Sequence, residues 1–174
     1  MGIEIERKFL VTGDGWRAAA ERSEEMAQGY LNDQEAVASG RERASVRVRL
    51  EGGRARLNIK SRNVGHTREE FEYPVPADDA RALLVLCVGA RVHKRRHYVP
   101  HAGALWEVDE FLGENAGLVV AEIELTSADA LFERPDWLGA EVTDCVRYYN
   151  QVLSARPYAQ WSAAERAATD LIAD

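Results

Sequence analysis

The sequence lacks the features that mark several large classes of protein. It has two cysteines among its 174 residues, Cys87 and Cys145, and their spacing fits neither a metal site nor a disulfide framework. We therefore expect two reduced structural thiols and a cytoplasmic protein. No apolar run approaches the roughly 18 residues that a membrane span requires. The charged segment 4–8 is unlike a signal peptide, so we expect neither a membrane partner nor secretion.

An excess of basic charge is also absent. The net charge of −7 argues against general binding to DNA or RNA, and we expect no nucleic-acid partner. The contents of 46% hydrophobic and 29% charged residues are ordinary for a globular protein. The length suits one domain with a sizeable core.

What is present is a series of short segments that alternate between apolar and polar residues, as half-buried β-strands do. Most are joined by short turns, among them the hairpin turn predicted at Gly52 and Gly53, which implies antiparallel pairing. Helices are predicted at about 14–22, at 77–89, at 143–155 and after Ser162, whereas 34–41 is predicted to be a loop. The eight predicted strands are 3–11, 24–33, 43–51, 54–62, 66–76, 91–100, 104–113 and 117–126.

Charged residues dominate one face of nearly every predicted strand. In 46–50, for example, Val46 and Val48 lie on one face, and Arg47 and Arg49 lie on the other. A solvated outer face would give the same alternation. However, solvated faces usually include Ser, Thr, Asn and Gln, and here bases and acids are sorted onto different strands. If these faces point inward, carboxylates are placed to bind Mg²⁺ or Mn²⁺ and bases to bind phosphate, which together suit a metal-bound polyphosphate.

The sequence "EIERKFLV" at 4–11 resembles the ExExK signature of the CYTH superfamily, also called triphosphate tunnel metalloenzymes. The resemblance extends over about residues 2–155 and implies a tunnel that binds a triphosphate together with divalent metal. We therefore predict an α+β fold: a closed eight-stranded antiparallel β-barrel with a charged lumen and flanking helices. Further similar blocks, in family order, are "QGYL" at 28–31, "VRVR" at 46–49, "LNIK" at 57–60, "REEFEY" at 68–73, "WEVDEF" at 106–111, "AEIEL" at 121–125 and "RYYNQVL" at 147–153.

The resemblance also implies roles for single residues. Metal ions would hold the triphosphate and activate a water for in-line attack on the terminal phosphorus. The implied catalytic residues are Glu4, Glu6 and Lys8. The implied phosphate ligands are Lys8, Arg47, Arg49, Lys60, Lys94 and Arg96. The implied metal ligands are Glu4, Glu6, Glu72, Asp109, Glu122 and Glu124.

Several alternatives stay open. Either Glu70 or Glu72 can contact metal, and a register slip would exchange Lys94 and Arg96 for Arg95. The expected reaction is hydrolysis of tripolyphosphate to pyrophosphate and phosphate; the alternatives are an adenylate cyclase and a nucleoside or thiamine triphosphatase. The absence of a His-Phe segment before "EIERK" disfavours the cyclase. Residues 1–156 are predicted to form the tunnel domain, with 157–174 as a helical extension, in a monomer or homodimer.

Overall fold

A computed structural model describes residues 5–61, 69–127 and 129–167. Glu4, predicted as a metal ligand, therefore lies outside the described residues. The strands form one antiparallel sheet with the order β5-β4-β3-β2-β6-β7-β8-β1-β9. They are β1 (Ile5–Val11), β2 (Arg22–Tyr30), β3 (Ala44–Glu51), β4 (Arg54–Ser61), β5 (Glu70–Val75), β6 (Val88–His101), β7 (Ala104–Leu112), β8 (Val119–Leu125) and β9 (Leu138–Glu141).

The predicted closed eight-stranded barrel is wrong. The sheet has nine strands, and within the described ranges β5 pairs with β4 alone, so the sheet does not close. The ninth strand explains the difference. β9 pairs with β1 through Phe9 and Val11 and so takes the edge of β1 that closure would have used. The sheet nevertheless curves, since side chains from β1 to β8 line one cavity.

Tight turns hold the antiparallel neighbours in register. Gly52 and Gly53 join β3 to β4 with φ angles of 51° and 90°, which confirms the predicted hairpin turn. Ala102 and Gly103 join β6 to β7 in the same way, with φ angles of 47° and 81°. Ala102 therefore occupies the left-handed region of backbone conformation, which few residues other than glycine adopt.

The helices predicted at 77–89 and at 143–155 are both shorter in the structure. The observed helices are α1 (Gln34–Ala38), α2 (Ala77–Val85), α3 (Asn150–Ala155) and α4 (Ala163–Ala167). The early helix predicted at 14–22 is only a 3-10 turn at Arg17–Ala19, because β2 already begins at Arg22. The loop predicted at 34–41 contains α1, whose first turn is capped by the Asp33 carboxylate, which accepts a hydrogen bond from the Glu35 N–H.

The apolar strand faces pack away from the cavity. One cluster places Val48 and Ala55 of the sheet against Ala80 and Leu84 of α2. A second surrounds Phe9 and Trp106, and a third joins the sheet to the C-terminal segment through residues that include Trp161. The inward placement of the charged faces is thus confirmed, and the solvated outer face is excluded as their explanation. In the parts of the chain described, no helix has the length and apolarity that crossing a membrane requires.

Candidate active site

The polar face of the curved sheet encloses a cavity of about 480 Å³, here called the charged cavity. Its wall carries as many cations as carboxylates. The cations are Lys8, Arg47, Arg49, Lys60, Lys94 and Arg96, and the carboxylates are Glu6, Glu70, Glu72, Glu107, Glu122 and Glu124. The structure thus brings together all six predicted phosphate ligands and four of the six predicted metal ligands. Of the other two, Glu4 lies outside the described residues, and Asp109 lies behind the wall.

The register of β1 and β8 sets one side of this cavity. Lys8 lies opposite Glu122, and Glu6 lies opposite Glu124. The Lys8 Nζ is 2.8 Å from a carboxylate oxygen of Glu122. Glu124 forms no ion pair with any residue in the described ranges. Two carboxylates directly opposite each other destabilise an antiparallel pair, so the Glu6–Glu124 pair favours a bound cation.

A buried ion network forms the wall between β6 and β7. Asp109 is 1% exposed, and both of its oxygens accept hydrogen bonds. Arg96 donates to Asp109 through Nε and Nη2, each at 2.7 Å, and Lys94 Nζ donates to the same carboxylate. Arg96 also donates to Glu107, and its Nη2 lies 2.8 Å from Glu122. Asp109 therefore holds two cations in place in this structure.

Burial and charge oppose each other in this network. The pKa of Lys94 is lowered, because the effect of burial exceeds the opposing effect of the Asp109 charge. For Arg96, burial also lowers the pKa, but the hydrogen bond and charge of Asp109 outweigh it and the pKa is raised. Burial raises the pKa of Glu107. Burial disfavours the charged form of Glu122 too, yet the charges of Lys94, Lys8 and Arg96 lower its pKa to about 2.

β4 and β5 form a second wall that is already paired. Lys60 Nζ is 3.0 Å from Glu70, and Arg56 pairs with Glu72. The amide of Asn58 donates to both carboxylates, with a distance of 3.2 Å to Glu70. Both carboxylates line the charged cavity, so their positions do not decide whether Glu70 or Glu72 contacts a metal ion.

Arg47 and Arg49 on β3 differ from the other cations. Neither forms an ion pair with any residue that the structure describes, and the Arg47 Nε is buried without a hydrogen-bond partner. Burial lowers the pKa of Arg47, and the neighbouring charge of Arg49 lowers it further. Glu70 and Glu72 raise the pKa of Arg47 in part, but neither forms an ion pair with it. Two adjacent, half-buried guanidinium groups without a direct ion pair form a site that attracts an anion.

The register of β6 is also visible. Lys94 and Arg96 line the charged cavity, whereas Arg95 points to the other face and pairs with Glu25 at 2.7 Å. The register that assigns Lys94 and Arg96 to the lumen is therefore the one observed.

The charged cavity continues into a less charged chamber of about 380 Å³. The two share Glu6, Lys8, Arg47, Lys60 and Asn150. The added lining consists of neutral polar residues, namely Tyr30, Ser45, Thr143, Tyr149 and Gln151. The Lys8 Nζ lies 5.4 Å from the centre of the Tyr149 ring.

Carboxylate oxygens are the ligands that hard divalent cations prefer, and the donor set of Glu6, Glu122 and Glu124 fits such a cation. Among the described residues, however, no three His, Cys, Asp or Glu side chains are arranged as a ready metal site. The protein's own carboxylates are thus suited to share a cation with a ligand that brings further oxygens.

Three neutral residues of this region were assigned no site role from the sequence. Gln28 and Asn150 line the charged cavity, and Asn58 positions the carboxylates of β5. Gln28 and Asn58 share the strand face of the arginines, so the alternation contained the signal. A search for charged residues overlooked it.

Residues 2–151 match the model of the CYTH domain. With this match covering most of the chain, the protein belongs to the CYTH domain family, which confirms the resemblance found in its sequence. The chain is 42% identical over 159 residues to the inorganic triphosphatase of Acetivibrio thermocellus, a match that covers 91% of this chain and 97% of that protein. It is 34% identical over 157 residues to the inorganic triphosphatase of Nitrosomonas europaea, covering 87% of this chain and 96% of that protein.

Solved structures agree with this assignment. A crystal structure of an inorganic triphosphatase superposes with a TM-score of 0.69 at 32% identity, covering 88% of this chain and 95% of that chain. A Hippeastrum protein described as an adenylyl cyclase with a dominant triphosphatase activity has a TM-score of 0.52 at 16% identity, covering 72% of this chain and 80% of that chain. At that identity the likeness concerns the fold alone.

Proposed function

We propose that this protein is a divalent-metal-dependent triphosphatase that hydrolyses inorganic tripolyphosphate to pyrophosphate and phosphate. Two relatives that share 42% and 34% of their aligned residues with it are inorganic triphosphatases, and they match nearly over their whole lengths. The charged cavity supports the same activity through its residues.

The observation that carries the proposal is the pair of arginines on β3. Arg47 and Arg49 have no carboxylate partner within the described ranges. Removing a cation from water without a counter-ion is costly. A polyphosphate that enters the cavity supplies the missing charge, and guanidinium groups bind phosphate oxygens in a bidentate manner.

The balance of charges on the whole cavity wall supports a role for a divalent metal ion. With six cations and six carboxylates, the wall has no net charge to offer a bare polyanion. A tripolyphosphate partly neutralised by Mg²⁺ or Mn²⁺ suits such a wall better, because its phosphates and its cation each find opposite charges.

Glu6 and Glu124 would hold that cation, together with oxygens of the substrate. Glu4 remains a predicted ligand. When bound, the cation would neutralise charge that develops on the phosphoryl oxygens. Lys8 and Arg96 would steady the phosphate chain opposite the β3 arginines, and Asp109 would keep Arg96 and Lys94 oriented.

Phosphorus NMR of the purified protein with tripolyphosphate tests this proposal. With Mg²⁺ or Mn²⁺ we expect equal amounts of pyrophosphate and phosphate, and with EDTA no turnover. Arg49→Met should raise the KM about tenfold or more, because a hydrogen bond to a charged group contributes roughly 1.5–3 kcal/mol. Arg95→Met is the matched control, since Arg95 lies on the opposite face of the sheet, and its KM should not change. Absence of turnover with both metals would reject the proposal.

A second substrate class is favoured by the less charged chamber. Its tyrosines and amides can accommodate an organic group attached to a triphosphate, such as a nucleoside or thiamine. The same NMR experiment with ATP and with thiamine triphosphate separates the possibilities. Phosphate release from either would add a nucleoside or thiamine triphosphatase activity, and cyclic AMP with pyrophosphate would identify a cyclase.

A further inference from the structure

Gln28 on β2 is a buried amide without a partner. It is 4% exposed and lines the charged cavity. Its Nε2 is buried and has no hydrogen-bond partner, and its side chain forms no hydrogen bond with any of the described residues. Buried amides in folded proteins are nearly always hydrogen-bonded, so this exception needs an explanation.

The neighbours of Gln28 suggest what the amide is for. In the sheet register Gln28 lies directly opposite Arg49 of β3 and opposite Val92 of β6. Cross-strand partners project to the same face of a sheet. Gln28 and Arg49 therefore present an amide and a guanidinium side by side to the cavity, and neither is satisfied by a carboxylate.

Asn58 shows what a structural amide looks like in the same cavity region. It is 1% exposed, and its Nδ2 donates to Glu70 and Glu72, although its Oδ1 is buried without a hydrogen-bond partner. Asn58 thus orders two carboxylates of β5, whereas Gln28 orders no other side chain. The contrast separates a residue that holds the fold from one that awaits a ligand.

From this contrast we infer that Gln28 is a substrate-binding residue, whose amide N–H donates a hydrogen bond to a non-bridging oxygen of the phosphate group held by Arg49. The inference rests on the proposed function. Because neither the nitrogen nor the oxygen of the amide has a protein partner, rotation about the last side-chain torsion exchanges their positions without breaking a hydrogen bond. A phosphate oxygen accepts hydrogen bonds only, so the substrate selects the orientation in which the NH₂ group faces it.

The decisive variant is Gln28→Met, which keeps the unbranched shape and removes the amide. Affinity for tripolyphosphate is measured as the KM of turnover with Mg²⁺, because the metal-bound form is the proposed substrate, and melting temperatures are measured without ligand. We expect affinity to fall about tenfold or more. We expect the ligand-free melting temperature to stay equal or to rise, because an unpaired buried polar group is lost.

Asn58→Leu is the matched control for a buried amide that does have partners, and its ligand-free melting temperature should fall. Gln28→Glu is the second variant in case Gln28→Met does not fold. It preserves the shape but offers only acceptors, so it should bind tripolyphosphate even more weakly. An unchanged affinity in either Gln28 variant would overturn the inference, whatever the melting temperature does. If the unmodified protein does not hydrolyse tripolyphosphate with Mg²⁺ or Mn²⁺, the proposed function fails instead.

Discussion

Replacing Asp109 by Asn should destabilise the protein strongly, although the change is isosteric. The carboxylate is 1% exposed and pairs with Lys94, itself 5% exposed, and with Arg96. Removing one partner of a buried ion pair costs about 3–5 kcal/mol, because the other charge remains buried. For a chain of this size each kcal/mol lowers the melting temperature by about 2–4 °C, so the expected decrease is roughly 6–20 °C.

The loss should also depend on pH in a defined direction. Burial already lowers the pKa of Lys94 below its ordinary value of 10.5, and Asp109 is the charge that chiefly opposes this. In the variant the folded-state pKa falls further, while the unfolded-state pKa does not change. Between these two values the unfolded chain binds more protons, so stability rises with pH. The deficit of Asp109→Asn should therefore shrink as the pH is raised toward 10.5.

Urea denaturation at several pH values measures both effects. Glu110→Gln is the control on the same strand, because Glu110 pairs with Arg17 at the outer surface and such pairs contribute about 0–1 kcal/mol. The double variant Lys94→Met with Asp109→Leu should recover part of the loss, since Lys94 no longer leaves a charge buried. Arg96 loses Asp109 in this variant but keeps Glu107 and Glu122. If Asp109→Asn is as stable as Glu110→Gln, the reasoning about the buried network is refuted, and a role for Asp109 as metal ligand becomes the better account.

Three further changes test other parts of the molecule. Gly29→Ala should lower stability by about 1–3 kcal/mol in thermal melts, because the new Cβ would lie 2.6 Å from the Cys87 Sγ and 2.8 Å from the Cys87 Cβ. Cys87→Gly, which removes both atoms, should relieve the clash; an unaffected Gly29→Ala would contradict this packing. Glu124→Gln should raise the Mg²⁺ concentration needed for half-maximal turnover and stabilise the metal-free protein slightly, since it removes repulsion from Glu6; an unchanged metal requirement would exclude Glu124 as a ligand. The Glu165 carboxyl, bonded to Arg156 and to the Ser162 N–H, should titrate by NMR at about pH 2, so its support of α4 is present above its ordinary pKa of 4.5 and is lost as the pH falls through about 2; a midpoint near 4.5 would reject the cap.

The faces of the strands could be predicted from the sequence, but closure of the sheet could not. Side-chain alternation with a period of two depends on the strand alone, so Arg47 and Arg49 are assigned to one face whatever their neighbours do. Closure depends on which edges pair. The four-residue strand β9 has no apolar alternation that distinguishes it from a loop, yet it occupies the edge of β1.

The same limit applies to the site. The charged residues of the cavity were predictable, because six bases and several carboxylates recur at lumen positions. Their pairings were not, since Asp109 and Glu124 are both carboxylates on the polar face of a predicted strand. In the structure Asp109 is enclosed by Lys94 and Arg96, and Glu124 has no ion-pair partner in the described ranges. Ion pairs between strands depend on the register between those strands as well as on side-chain length, and the sequence of a single strand does not give the register.

The ion pairs make the two sides of the cavity different, although the cavity wall as a whole has balanced charge. A phosphate that approached Lys8 or Lys60 would compete with Glu122 or Glu70, which already neutralise them. Beside Arg47 and Arg49 it would break no direct ion pair, since the nearby carboxylates of Glu70 and Glu72 are paired with other residues. β3 and β1 are separated in the sheet by β2, β6, β7 and β8, and both line the cavity, so they lie on opposite sides of it. The strongest attraction for an anion is thus at β3, and the uncompensated carboxylate of Glu124 lies across from it, beside β1. A ligand that carries phosphates at one side and a divalent cation at the other satisfies both walls at once, whereas either component alone would leave one wall unsatisfied.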